Sequence, residues 1–210
     1  MAPEYIPPEE STALCRTGLP PYTLTGLLRK LLISHFSAEG NITYSQFRTM
    51  MWQAAPGPQN ILIESITQWK PSVTEKRPAI LISRNDYSYV RWGIGDRKMG
   101  GSGPADSTRY EFGFAGSHTM FCVSRLPAEA ELLGQEVFFD LAFFAPAIAT
   151  ELNMIKFVPV GIGKLMEIEE AHESYAVPVT FACVSSFPWV IMENAPTLNA
   201  LEFEIGDLTP

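Results

Sequence analysis

Residues 127–145 read PAEAELLGQEVFFDLAFFA, and this stretch decides the fold. Pro127 suits the first position of a helix, and Glu129 and Glu131 suit the positive end of its dipole. Ala130, Leu133, Val137, Leu141 and Phe144 step by 3, 4, 4 and 3, which lines one face. Phe138, Phe139 and Phe143 form a second apolar surface. A helix apolar on two sides needs cover on two sides. One cover is its own sheet, and the other is a partner chain.

Strands surround it. Upstream, Tyr110 to Ser124 (YEFGFAGSHTMFCVS) reads as a strand with a bulge or bend at Gly113 and Gly116. Before that, Ala79 to Ser83 (AILIS) is the apolar run of a strand buried on both faces. Ile61-Leu62-Ile63 is another strand, after the turn Pro56-Gly57-Pro58. Downstream, Lys156 to Ile168 is one strand, and Tyr175 to Ser185 alternates with a period of two. Pro178 inside that last strand points to an edge or a bulge. A first helix is expected over about 24–36, from Leu24, Leu27, Leu28, Leu31 and Leu32, with Thr23 as N-cap and Gly40-Asn41 as stop.

The order is therefore helix, three strands, helix, two strands. It predicts a single α+β domain, a mostly antiparallel sheet flanked by helices, with extended N- and C-terminal arms. Residues 1–22 form a proline-rich N-terminal arm, 23–186 the core with a flexible glycine loop at 93–108, and 187–210 a C-terminal arm. The N-terminus lacks the basic and apolar regions of a signal peptide. The longest apolar stretch, Val137 to Ile148, is interrupted by Asp140 and Pro146 and reads as too short to span a bilayer.

Composition narrows function. Hydrophobic residues make up 46% of the 210, enough for a sizeable core, while charged residues are only 18%, which favours surface buried against neighbours. Acids outnumber bases 23 to 15, for a net charge of −8, so nucleic acid is not gripped. An acidic wall that DNA slides past fits that balance. Cys15, Cys122 and Cys183 are odd in number and widely spaced, which argues for reduced thiols in a cytosolic assembly.

Chemistry is hard to find. His118 and Cys122 are the tempting pair, but four residues apart on a regular strand they sit roughly 13 Å from each other. Glu169 and His172 have an E-x-x-H spacing with no second motif to complete a metal site. Gly93-Ile94-Gly95 and Gly161-Ile162-Gly163-Lys164 imitate phosphate loops without their full spacing. No catalytic residue, cofactor or metal is expected.

Six strings in order, RPAILISR, GIGDR, GSHTMFC, PAEAELLGQEVFFDLAFFAPAI, FVPVGIGKLMEIEEA and YAVPVTFACV, resemble the neck and tail-terminator proteins of tailed bacteriophages. The resemblance covers about Arg77 to Trp189. It implies a compact sheet-and-helix subunit that closes into a homo-oligomeric ring, commonly a hexamer. Such a ring caps the tail tube, meets any sheath, and offers its other face to the head connector, stopper or portal-side adaptor. Double-stranded DNA passes through without specific contact, no membrane is involved, and the virion is assembled in the host bacterial cytoplasm. The arms lie outside that family core, so a collar or head-completion adaptor of the same neck is the alternative. From other classes, the alternatives are a small enzyme using Cys122 and His118, and a monomeric assembly chaperone. Within the ring reading, Arg91, Asp96, Arg97 and Lys98 contact an adjacent ring or subunit, and Phe138, Phe139 and Phe143 face a neighbour.

Overall fold

The computed structural model describes residues 21–54, 59–68, 78–91, 107–152, 154–168 and 174–192. Within them the chain is α+β. Its elements are α1 (Pro21–Ser37), β1 (Leu62–Ser65), β2 (Ala79–Val90), β3 (Ser107–Ser124), α2 (Pro127–Glu151), β4 (Met154–Ile162), β5 (Met166–Glu167) and β6 (Tyr175–Met192). The six strands form one sheet in the order β1-β2-β3-β6-β4, with the short β5 also on β6. Only β1–β2 is parallel, and the remaining pairs are antiparallel.

Both helices cover one face of this sheet. Leu24, Leu28, Leu32 and Phe36 of α1 join Leu133, Val137, Leu141 and Ile148 of α2 over Ile80, Ile82, Met120, Val179 and Phe181. A smaller cluster, Ala79, Leu81, Val123 and Ala176, lies on the other face. Ala79 to Ile82 are all buried, so the run AILI is enclosed on both faces, as its composition implies.

Several elements differ from their sequence-based expectation. Helix α1 already includes Pro21, so Thr23 lies within its first turn and is not its cap. It ends at Ser37, and Gly40-Asn41 belong to a separate short 3-10 turn. Strand β2 runs on to Val90. Residues 156–168 are two strands, not one. Strand β6 continues to Met192 and pairs with β3 from Ser107, so the strands extend into segments expected as loop and arm. Residues 1–20, 92–106 and 193–210 lie outside the described residues.

Helix α2 does not stop at Ala145. It carries Pro146 and runs to Glu151, because burial of Ala145 and Ile148 outweighs one lost backbone hydrogen bond. At 25 residues it is long and apolar enough to cross a membrane by length and composition, contrary to the expectation. One face of it packs on the sheet, and 39% of its apolar window is buried.

Pro178 sits in a central strand, between β3 and β4, not at an edge. Its carbonyl accepts from Gly163 N at 2.7 Å. In an extended strand the N and O of one residue point the same way. The missing N–H therefore faces the break between β4 and β5, where no ladder partner waits.

The bulge is also elsewhere. Between Arg84↔His118 and Tyr87↔Gly116, Asn85 and Asp86 of β2 oppose only Ser117 of β3. The extra residue turns Tyr87 onto the helix-covered face. Asn85 Nδ2 anchors the bulge by donating to Ser117 Oγ and Thr119 Oγ1, both at 2.9 Å. A Cβ on Gly116 would meet the Tyr87 ring at 2.5 Å. That glycine makes room for a ring and is not itself the bulge.

Candidate functional site

Two polar clusters lie under the helices, and of their members only His118 was singled out from the sequence. The first joins α1 to α2. His35, in the last turn of α1, places Nε2 2.9 Å from Glu136 Oε1 and Nδ1 2.8 Å from Asp140 Oδ1. Glu136 and Asp140 are four residues apart on α2 and so share a face. Backbone N–H groups of Thr43 and Tyr44 also donate to Glu136, at 2.8 and 3.2 Å. All three side chains are buried.

Burial works against a charged His35. Hydrogen bonds to Asp140 and Glu136, and then their charges, outweigh it and hold the imidazolium up at about 9. Burial likewise pushes the Glu136 carboxyl up, but His35 and the two backbone donors bring it below its ordinary value. At neutral pH the cluster is one cation between two carboxylates, with a surplus of negative charge. Both ring nitrogens donate, so the imidazole keeps no lone pair for a metal.

Above this cluster opens a groove of about 710 Å³ between the two helices. Leu31, Ser34 and His35 of α1, Thr43, and Glu136, Phe139, Asp140, Phe143, Phe144 and Ile148 of α2 are among its lining. Phe139 is 59% exposed, Phe143 79% and Phe144 48%. Rings 143 and 144 meet edge to face at 5.1 Å.

The expected interface residues divide. Phe139 and Phe143 stand outward. Phe138 is partly buried and sets its ring 5.9 Å from Phe181, on the core. Phe144, expected on the core face, is half-exposed instead. The buried stripe passes from Leu141 to Ala145 and Ile148, and a step of four there rotates Phe144 out. Arg91 is exposed just past β2, its guanidinium 5.9 Å from the Tyr89 ring centroid. Asp96, Arg97 and Lys98 lie outside the described residues, as do Cys15, Glu169, His172 and the Gly93 motif.

The second cluster surrounds His118. It is 0% exposed, with Nε2 2.9 Å from Thr25 Oγ1 and Nδ1 3.1 Å from the Tyr87 hydroxyl. That hydroxyl is also 2.8 Å from Cys183 Sγ. Burial, and to a smaller degree Arg84, lowers His118 to about 4. Burial alone pushes the Cys122 thiol far up, and it raises Cys183 and Tyr87 as well. At neutral pH every member is uncharged. The histidine meets Cys183 through Tyr87 and shares no hydrogen bond with Cys122. A buried neutral thiol is no nucleophile.

Gly163, in the phosphate-loop imitation, lies against Pro178, where a Cβ would come within 2.5 Å of the ring. The glycine serves that close packing. Among the described residues no group of three His, Cys, Asp or Glu is placed to hold a metal ion. Comparison with protein-family models gives no match, and comparison with curated proteins gives none either.

Proposed function

We propose that this chain is a structural subunit of a tailed-phage virion. It closes with copies of itself into the neck ring that caps the tail tube and joins it to the head connector. The observation that carries the reading is the outward row Phe139, Phe143 and Phe144 along an open groove. Three large rings left in water on one helix face mark a surface meant for another protein. The order of motif strings that resembles neck proteins points to the same use, and the net charge of −8 suits a passage that must not hold DNA. A collar or head-completion adaptor would use the same surfaces. The enzyme reading gains nothing from the geometry, since His118 and Cys122 are buried, neutral and not joined.

Negative-stain electron microscopy of the purified chain tests this. The expected result is rings with a central opening, lost in Phe139→Asp. Heads and tails from cells making a chain deleted over 96–106 should remain unjoined. A chain that shows no ring, and that heads and tails join without, overturns the proposal.

A further inference from the structure

The groove has walls and a floor of different character, and together they specify a guest. Its walls include the exposed rings of Phe139, Phe143 and Phe144. Its floor is the His35 cluster, one cation against two carboxylates. Glu136 is satisfied at both oxygens, by His35 and Thr43 on one and Tyr44 on the other. Asp140 is not. Its side chain is 7% exposed and lines the groove, yet among the described residues only Oδ1 has a partner. A carboxylate oxygen with no donor among the described residues, beside apolar rings, fits a cationic side chain flanked by apolar ones.

Of the two terminal segments, one fits that description. In the twenty residues before α1 the one basic side chain is Arg16, in STALCRTGLP (11–20), between Leu14 and Leu19. Residues 193–210 contain no Lys or Arg. We infer that the groove receives the Arg16 segment of a neighbouring copy, its guanidinium on Asp140 Oδ2 and its leucines on the phenylalanine rings. This rests on the ring-forming reading and names the contact that would build the ring. Glu4, Glu9 and Glu10 keep the more N-terminal residues off the acidic floor.

The ring-forming reading makes a neighbouring copy the donor of that segment. An exchange in which one copy's segment fills the next copy's groove is also heterologous, the kind of contact that closes rings.

Cys15, next to Arg16, allows a direct test. Phe139, Phe143 and Phe144 are replaced one at a time by Cys in the full chain. Each variant is treated with a short bis-maleimide and run on a denaturing gel. Cys122 and Cys183 are buried and stay silent. The expected result is a ladder of inter-chain products at one or more positions, absent when Cys15→Ser is added. Arg16→Ala should weaken association about tenfold, the loss expected for a charge-assisted hydrogen bond. Products confined within one chain, or no Cys15-dependent product at any of the three positions, overturn the inference. If the wild-type chain still assembles by light scattering, the ring reading survives that failure; if it is single, both fall.

Discussion

Replacing His35 by Gln keeps a hydrogen-bond donor between Glu136 and Asp140 but removes the charge and the titration. His35 rises from 6.5 to about 9 on folding. At about 1.4 kcal/mol per pH unit, that corresponds to roughly 3 kcal/mol. Because the folded value is the higher one, this stability is fully present below pH 6.5 and is lost as pH rises through about 9. The contribution is assigned to His35 and counted once. The assay is urea unfolding followed by tryptophan fluorescence, on wild type and His35→Gln, at pH 6 and pH 9.5. With a slope of about 2 kcal/mol/M, the wild-type midpoint should drop about 1.5 M more than the variant's between the two pH values. At pH 6 the variant should itself be weaker by about 3–5 kcal/mol, since two buried carboxylates have lost their cation. Midpoints that fall in parallel for the two proteins would refute the reasoning: His35 would then carry no proton across that range.

The second cluster yields further expectations. Tyr87→Phe leaves His118 and Cys183 without their shared hydroxyl and should cost about 1–3 kcal/mol in the same unfolding assay; a variant as stable as wild type would show that the hydroxyl is not needed there. Gly116→Ala drives a methyl into the Tyr87 ring and should cost about 1–3 kcal/mol, and less in the Tyr87→Ala background, where the space is open. Phe143→Asp touches an exposed ring, so the melting temperature of the subunit should stay put, within about 0.5 kcal/mol, while self-association measured by light scattering is lost. Loss of both together would mean that Phe143 belongs to the fold.

The parts of the fold that were legible in the sequence are those set by local periodicity. Leu24, Leu28 and Leu32 mark the buried side of α1, AILI marks a strand enclosed on both faces, and Ala130, Leu133, Val137 and Leu141 mark the sheet side of α2. What was not legible depends on distant partners. Pro178 is tolerated in a central strand because the chain facing it breaks between β4 and β5. Gly116 needs Tyr87 to explain it, and Tyr87 faces inward only because Asn85 and Asp86 bulge. Pro146 stays helical because Ile148 is buried.

The candidate site was half visible. Two phenylalanines expected outward, Phe139 and Phe143, are outward, whereas Phe138 and Phe144 exchange roles at the point where the helical stripe steps by four. The floor of the groove was missed, because His35 and its carboxylates are about a hundred positions apart. A signal existed: Glu136 and Asp140, four apart in an otherwise apolar helix, need a buried partner, and the lone histidine in LLISHF supplies one.

Light scattering on the full chain across a wide range of concentration bears most directly on self-association through the α2 face. A closed ring predicts one sharp mass, a whole multiple of 23.3 kDa, that stops growing as concentration rises and collapses to the single chain in Phe139→Asp. A wild-type chain that stays at 23.3 kDa throughout, indistinguishable from that variant, would contradict the account.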